Sequence, residues 1–287
     1  SALTMTTQLQ YQQPPALLSQ YLRALLARGS ATPVTALPNL EAALIRQVVN
    51  SDKVAAYSAV CGFSQQSDCL PFTYPHLLAF PLHRELMLHR EFPLAPMGLV
   101  HIRNHITQYR PIAIHEPLDI RCLLGNGEQT DKGLEFDIIS QVRVLGELVW
   151  ESVSTNLARC RSANTARRSK PVRPQCYPHQ QQWQLPANLG RQYARVSGDS
   201  NPIHLYPFSA RLFGFRRPIA HGMWSKARVA AALSHITDTQ QGQLDVQFKQ
   251  PIFLPSQVNF NFQPDNTGVI FNIHHHEQVR IHMTGCW

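Results

Sequence analysis

The sequence predicts an α+β fold made of two copies of one unit, in which an antiparallel sheet packs against a helix. The first observation is a short repeat. Residues 108–112 read Gln-Tyr-Arg-Pro-Ile and residues 247–252 read Gln-Phe-Lys-Gln-Pro-Ile, with Pro111 and Pro251 140 positions apart. The second is that alternating apolar residues follow each proline, a period of two that is typical of strands. The third is an apolar run at helical spacing before each proline. Helix followed by strands, found twice, predicts a duplicated unit.

The individual elements follow from the same periodicities. Leu77, Leu78, Leu82 and Leu86 recur at helical spacing and predict a helix over 75–88, and a similar pattern predicts a helix over 221–236. Alternation predicts strands over 134–144, 147–157, 269–275 and 279–283.

The remaining segments set the predicted boundaries. Residues 1–50 are predicted to form an N-terminal helical arm, with a helix over 40–49. Residues 163–187 are rich in Arg, Ser, Pro and Gln and lack apolar periodicity, which predicts a linker. The two predicted units then occupy 51–162 and 188–287.

The charge is concentrated in one segment. The 287-residue chain has 26 Lys and Arg against 18 Asp and Glu, a net charge of +8. No acidic residue lies between Ser152 and Gly198, and this segment contains eight basic residues, Arg159, Arg161, Arg167, Arg168, Lys170, Arg173, Arg191 and Arg195. The rest of the chain is balanced, which makes diffuse nucleic-acid binding a weaker interpretation than the overall charge suggests.

Composition also excludes several classes of protein. The chain has no run of about 18 apolar residues, so no membrane-spanning helix is predicted. Its six cysteines include no Cys-x-x-Cys pair, which argues against a structural zinc site. No basic segment followed by an apolar stretch opens the chain, and we therefore expect reduced thiols and a cytoplasmic location.

One segment carries the strongest chemical signal, Ser-Gly-Asp-Ser-Asn-Pro-Ile-His at 197–204. Gly198 permits a turn conformation closed to other residues, and the side chains of Asp199 and Asn201 can accept hydrogen bonds from nearby backbone N–H groups. The turn should present Asp199 and His204 together, and a carboxylate beside an imidazole can hold and deprotonate a water molecule. The plainer alternative is that Asp199 only caps a helix and His204 fills a surface turn.

The second signal is Pro-Ile-Ala-His-Gly-Met at 218–223, where His221 and Gly222 open the long apolar helix. The first N–H groups of a helix lack acceptors within it and carry partial positive charge. The N–H of Gly222 is therefore a candidate donor to a ligand carbonyl. The alternative is that Gly222 only relieves crowding between helix and sheet.

These two segments together resemble the MaoC-like, (R)-specific enoyl-thioester hydratase family, with Ala210 also at the expected spacing after His204. The resemblance covers about 100 residues, from Tyr193 through the strand after Pro251. It implies a double hot-dog fold, in which the second half keeps the chemistry and the first shapes the acyl pocket. It also implies that Asp199, His204 and Gly222 are catalytic and that Asn201 and His221 bind substrate, with Asn201 also a candidate to order the loop or contact the pair.

The activity that the resemblance implies is hydration of 2-enoyl thioesters and the reverse dehydration of 3-hydroxyacyl thioesters. Coenzyme A or a carrier-protein phosphopantetheine would serve as the substrate handle, and no metal or redox cofactor is expected. Members of the family often have a hydroxyl residue eight positions after the glycine, where this chain has Ala230. The alternative function is therefore a weak or inactive acyl-thioester-binding protein of the same fold.

Two further clusters of basic side chains occur in the second half of the chain. Arg216 and Arg217 precede the Pro218 turn, where they could meet the phosphates of coenzyme A or form a solvated loop pair. The run His274-His275-His276 is interpreted as part of a polar sheet surface rather than a metal site. We expect neither nucleic acid nor membrane as a partner, and the oligomeric state, monomer or homodimer, stays open.

Overall fold

The chain folds into two compact units, and each contains strands and helices. The computed structural model describes residues 6–27, 29, 34, 36–159, 174–278 and 280–287. The N-terminal unit comprises Ser1–Val49 and Pro75–Arg167, and the C-terminal unit comprises Asn50–Tyr74 and Arg168–Trp287. No helix among the described residues is long and apolar enough to cross a membrane.

The N-terminal unit contains strands β1 to β6 and helices α1 and α3. The strands are β1 (Thr7–Tyr11), β2 (Leu40–Gln47), β3 (Leu99–Gln108), β4 (Leu118–Thr130), β5 (Gly133–Val144) and β6 (Glu147–Arg159), and the helices are α1 (Leu17–Leu26) and α3 (Tyr74–Met87). The strand order is β1-β2-β4-β5-β6-β3. The β1–β2 pair is parallel and the other neighbours are antiparallel.

The C-terminal unit contains strands β7 to β11 and helices α2, α4, α5 and α6. Its strands are β7 (His179–Leu185), β8 (Gly242–Phe248), β9 (Ser256–Asp265), β10 (Gly268–His275) and β11 (Ile281–Cys286). Its helices are α2 (Ser51–Cys61), α4 (Leu189–Ser197), α5 (Pro207–Leu212) and α6 (Gly222–Leu233). The sheet is antiparallel, in the order β8-β11-β10-β9-β7.

The two sheets share one strand order, which confirms the predicted repetition. Without β1, the order in the N-terminal unit is β2-β4-β5-β6-β3, and the order in the C-terminal unit is β7-β9-β10-β11-β8. When the five strands of each unit are numbered along the chain, both orders are first, third, fourth, fifth, second. The predicted helices over 75–88 and 221–236 correspond to α3 and α6, and each predicted strand lies on an observed one. The fold is the predicted double hot-dog of the α+β class.

In each unit a helix supplies the core against the sheet. Leu82 and Leu86 of α3 are fully buried, and His83 Nε2 lies 2.7 Å from the Ser140 hydroxyl of β5. In the second unit α6 is buried along most of its length. Lys226 of α6 donates from Nζ to the Leu244 carbonyl of β8 at 2.8 Å, and burial lowers the pKa of this lysine well below its usual value.

The helix predicted over 40–49 is wrong, because this segment forms strand β2. Leu40, Ala42 and Leu44 are buried at alternate positions, and the strand pairs with β1 and β4. Leu, Glu and Ala favour helices in isolation, but pairing on both sides outweighs that preference.

The predicted linker over 163–187 also contains a strand. Only Trp183 and Leu185 of β7 are buried, and the rest of the strand is polar. Among the strands that the structure describes, β7 is the last of the sheet and pairs with β9 alone. Residues 163–173 of that linker lie outside the described residues. The division into units also places 50–74 with the C-terminal unit, whereas the sequence-based boundary of 51 assigns that segment to the first unit.

Candidate active site

The turn predicted at 197–204 is built by the side-chain contacts that its composition suggested. Helix α4 ends at Gly198, whose φ of 73° lies in the left-handed region that favours glycine. The Asn201 N–H then donates to Asp199 Oδ1 at 3.3 Å, and the Ile203 N–H donates to Asn201 Oδ1 at 3.3 Å. Asp199 and Asn201 therefore order the turn by accepting hydrogen bonds from its own backbone.

His204 ends a short 3-10 helix, Pro202–His204, and its ring is fixed by one strong contact. Its Nδ1 lies 2.7 Å from the carbonyl oxygen of Ile219, so Nδ1 carries the hydrogen and Nε2 keeps its lone pair. The Ile219 N–H in turn donates to the Ile203 carbonyl at 3.1 Å. These two bonds join the turn to the segment that leads into α6.

That segment is anchored to the chain that follows β8. The Ala220 N–H donates to the Ile252 carbonyl at 2.9 Å, and the Leu254 N–H donates to the Pro218 carbonyl at 2.8 Å. Residues 252–254 come directly after the repeated Pro251. The second copy of the repeat therefore leads directly into the residues that hold 218–220, the segment between the turn and α6.

His221 lies beneath the Asp199–His204 pair. Its ring stacks on that of His204, with ring centroids 3.6 Å apart and an interplanar angle of 24°. Its Nε2 donates to the backbone carbonyl of Asp199 at 2.9 Å, and the Tyr193 ring packs on its other side at 4.8 Å. His221 is 3% exposed, so the structure places it as a support for the pair.

The protonation of the two histidines follows from their burial. Burial lowers the pKa of His204, although Asp199 and the Ile219 carbonyl oppose this shift. Burial and the neighbouring His204 lower the pKa of His221 to about 3. Both rings are therefore neutral at pH 7, and the 3.8 Å approach of His221 Nε2 to Asp199 Oδ2 is not an ion pair. The Asp199 side chain is 26% exposed, the most accessible of the three.

The same three residues are the group of potential metal ligands in the described part of the chain, with ligand atoms within 4.8 Å of one another. A metal ion needs lone pairs that converge on one point. The lone pairs of two stacked imidazoles lie in nearly parallel planes, and one nitrogen of each ring already faces a carbonyl oxygen. The arrangement fits acid–base chemistry better than metal coordination.

Gly222 is the first residue of α6, as the sequence predicted. The first intrahelical bond runs from the Ser225 N–H to the His221 carbonyl, so the Gly222 N–H has no acceptor within the helix. A Cβ at position 222 would lie 2.9 Å from Cε1 of Phe248 on β8. Gly222 therefore does relieve crowding between α6 and the sheet, as the alternative explanation proposed. Its N–H is at the same time a backbone donor at the start of the helix.

Arg216 and Arg217 lie on the loop before Pro218, and both are exposed. Their guanidinium carbons lie 4.7 and 5.8 Å from the centroid of one ring, that of Phe253. Arg217 Nη1 also donates to the Pro255 carbonyl at 3.4 Å. Both cations therefore contact the same aromatic ring.

The histidines at 274–276 do not belong to the group of potential metal ligands among the described residues. His276 Nδ1 lies 2.8 Å from Gln182 Nε2 of β7, and His274 Nδ1 lies 2.8 Å from the His275 carbonyl. Sheet-surface contacts account for these two side chains.

Sequence reasoning missed Gly190 and the role of helix α4. A Cβ at position 190 would overlap the carbonyl oxygen of His204, so only glycine lets α4 pack this closely on the turn. Arg191 Nη1 also donates to the Leu205 carbonyl at 2.9 Å. No motif in the sequence marks Gly190, because its importance comes from a neighbour 14 positions away.

A helix packed on an antiparallel sheet, with an Asp–His turn held against the start of that helix, defines a hydratase-type domain of the hot-dog fold. Comparison with known proteins agrees. Residues 155–285 match the model of the MaoC like domain. The chain is 35% identical over 246 residues to 3-hydroxyacyl-thioester dehydratase X of Mycobacterium tuberculosis, covering 84% of this chain and 87% of that protein.

Solved structures give the same result. The crystal structure of HtdX of Mycobacterium tuberculosis matches with a TM-score of 0.74 and 30% identity, covering 86% of this chain and 98% of that one. A MaoC-like dehydratase from Phytophthora capsici shares the fold, with a TM-score of 0.69 at 18% identity over 89% of this chain and 95% of that one. The chain belongs to the MaoC-like dehydratase family, and it is a hydro-lyase.

Proposed function

We propose that the protein catalyses the (R)-specific hydration of 2-enoyl thioesters and the reverse dehydration of 3-hydroxyacyl thioesters. The observation that carries the proposal is the tautomer of His204. Its Nδ1 hydrogen is committed to the Ile219 carbonyl, which leaves Nε2 as a base beside the carboxylate turn. A neutral imidazole next to an accessible carboxylate can hold a water molecule and move its protons.

In the hydration direction, the Gly222 N–H donates to the C1 carbonyl of the enoyl thioester, and the dipole of α6 favours the negative charge that develops there. Asp199 and His204 hold the water, and one of them takes its proton as the oxygen bonds to C3. The pair then delivers a proton to C2, which gives a 3-hydroxyacyl thioester. Dehydration reverses these steps, so atoms and charge balance within the pair.

The other predicted site residues have supporting roles in this proposal. Asn201 shapes the turn through the Ile203 N–H, and His221 fixes the pair by stacking on His204 and donating to the Asp199 carbonyl. Arg216 and Arg217 are assigned in this proposal to the phosphate groups of the substrate handle. We assign the handle to coenzyme A or phosphopantetheine, and the steps use no metal or redox cofactor.

Location and assembly also belong to the proposal. The thiols of Cys61, Cys122, Cys176 and Cys286 are free, which supports the expected cytoplasmic location. The homodimer, and the expectation that neither nucleic acid nor membrane is a partner, stay predictions. Light scattering after size exclusion would determine the oligomeric state.

The test is loss of enoyl-thioester absorbance when protein is added to short, medium and long 2-enoyl-CoA substrates. Turnover that depends on Asp199 and His204, with the (R)-3-hydroxyacyl product identified by chiral chromatography, is the expected result. Tight binding of acyl-CoA without turnover at any chain length would overturn the proposal. It would favour the alternative binding protein, for which the fully buried Ala230 in place of a hydroxyl residue is the supporting observation.

A further inference from the structure

Residues 50–74 come from the first half of the sequence but belong to the C-terminal unit. Two contacts tie this segment together and to α6. The indole Nε1 of Trp224 on α6 donates to the Val60 carbonyl near the end of α2 at 3.1 Å. The hydroxyl oxygens of Tyr57 and Thr73 lie 2.7 Å apart, and both side chains are fully buried. Because Trp224 is two positions after Gly222, the segment is anchored at the start of the helix that opens the proposed active site.

A line of rings runs from this segment to the catalytic pair. The ring centroid of Tyr57 on α2 lies 6.2 Å from that of Tyr193 on α4, and the Tyr193 centroid lies 4.8 Å from that of His221. The His221 ring in turn stacks on that of His204 at 3.6 Å. All four side chains are buried. Protein interiors are close-packed, so the position of each ring in such a line depends on the next.

His221 is the ring in this line that most needs support. Its Nε2 donates to the Asp199 carbonyl at 2.9 Å, and its Nδ1 is buried without a hydrogen-bond partner among the described residues. A buried acceptor without a donor costs free energy, and a water molecule that reached Nδ1 would remove that cost. A neutral imidazole has a single N–H. If the hydrogen moved to Nδ1, Nε2 would no longer donate to Asp199.

The two tyrosines are suited to keep water away from that nitrogen. Tyr193 packs on His221, Tyr57 lies behind Tyr193, and Tyr74 packs edge-on against Tyr57 with centroids 5.3 Å apart and an interplanar angle of 78°. Burial holds the pKa of Tyr57 and Tyr193 well above the usual value, so neither introduces a charge beside His221. Rigid aromatic rings exclude water and fix the orientation of what they contact.

We propose that Tyr57 and Tyr193 are positioning residues, which hold the His221 ring in place and keep water from its Nδ1, so that His221 stays bonded to Asp199. The inference rests on the proposed function. Neither tyrosine is assigned a contact with substrate, and both act through His221. The active site of the C-terminal unit therefore depends on a residue from the first half of the sequence.

The kinetic test compares removal of each ring with its retention. We expect Tyr193→Leu and Tyr57→Leu each to lower kcat for crotonyl-CoA by about tenfold or more at nearly unchanged KM, because a small misplacement of catalytic groups slows the chemical step. Tyr193→Phe and Tyr57→Phe keep the ring and should retain most of the wild-type kcat. Phe271→Leu removes a buried ring from β10 of the same unit and should leave kcat unchanged.

A second comparison separates positioning from a general loss of stability. His221→Ala removes the group through which the tyrosines act, so Tyr193→Leu should change kcat by less than about twofold in that background. Equal fold-losses in the wild-type and His221→Ala backgrounds would overturn the inference, and so would full kcat of Tyr193→Leu alone. Tyr57→Leu, which removes a ring further from the site, replaces Tyr193→Leu in both comparisons if the latter does not fold.

If the wild type turns over no enoyl thioester, the proposed function fails, and nitrogen-15 NMR of the histidine side chains then decides the inference. We expect His221 to carry its hydrogen on Nε2 alone in the wild type and in Tyr193→Phe. In Tyr193→Leu the hydrogen should be shared between the two ring nitrogens. An unchanged Nε2–H form of His221 in Tyr193→Leu would show that the tyrosine does not position the ring.

Discussion

His204 Nδ1 lies 2.7 Å from the carbonyl oxygen of Ile219, a residue 15 positions further along the chain. This contact fixes the orientation of the imidazole and leaves Nε2 as its reactive atom. The Ile219 carbonyl is positioned by its neighbours, because the Ile219 and Ala220 N–H groups are bonded to Ile203 and Ile252. The tautomer of the proposed base is therefore set by the backbone rather than by a second side chain.

Removing either member of the acid–base pair should abolish most of the activity. We expect Asp199→Asn and His204→Gln each to lower kcat by about 10²- to 10⁴-fold, because each removes a group that moves a proton in the transition state. The measurement is the initial rate of crotonyl-CoA hydration, with circular dichroism to verify folding. Asp238→Asn removes an exposed carboxylate of the same unit and should keep the wild-type rate. A folded variant of Asp199 or His204 with full activity would contradict the assignment.

The pH dependence of activity should report the burial of His204. The base must be neutral to accept a proton, and burial lowers its pKa below the usual 6.5. Hydration activity should therefore persist as the pH falls through 6.5 and decline only at the lowered pKa. The measurement is kcat/KM for crotonyl-CoA between pH 4 and pH 8. An acid limb with its midpoint at or above pH 6.5 would show that His204 is more accessible to solvent than the structure indicates.

The two explanations for Gly222 can be separated by a double substitution. Gly222→Ala should destabilise the protein by about 1–3 kcal/mol, because its Cβ would lie 2.9 Å from Cε1 of Phe248. Phe248→Leu makes room for that methyl group. We expect the double variant to regain stability relative to Phe248→Leu alone, while its kcat stays low because the Cβ still hinders the thioester carbonyl.

Two quantities are measured for each single variant and for the double variant: the free energy of unfolding in urea and kcat for crotonyl-CoA. Recovery of kcat to the level of Phe248→Leu would show that Gly222 serves packing alone. The backbone N–H is present in every variant, so a change in kcat reports access to that donor rather than its loss.

The sequence was sufficient where the determining interactions are local. The turn at Asp199 and Asn201 forms through hydrogen bonds within four residues, and α3, α6 and most of the strands follow the spacing of their own apolar residues. The role of the charge pattern stays a prediction, since five of the eight basic residues between Ser152 and Gly198 lie outside the described residues.

The sequence was insufficient where the determining partner is distant. Strand β2 has a helical composition and becomes a strand by pairing with β4, about 80 positions further along the chain. Strand β7 is mostly polar and becomes a strand by pairing with β9. The need for Gly190 arises only when α4 packs on the His204 carbonyl, which belongs to a residue 14 positions further along the chain.

Acid should weaken the fold through His83 of the N-terminal unit. Burial lowers its pKa to about 3, against 6.5 for an unperturbed histidine, so between these values the unfolded chain binds the extra proton. Its contribution to stability is complete above pH 6.5 and is lost as the pH falls, by about 2 kcal/mol at pH 5.

His83→Gln should be less stable than the wild type at pH 7, since it disturbs the contact with Ser140. The difference in free energy of unfolding between the wild type and His83→Gln should be about 2 kcal/mol smaller at pH 5 than at pH 7. Urea unfolding at both pH values measures this difference. His235→Gln removes an exposed imidazole and should show no such narrowing, and a constant gap for His83→Gln would mean that His83 is protonated in the folded protein.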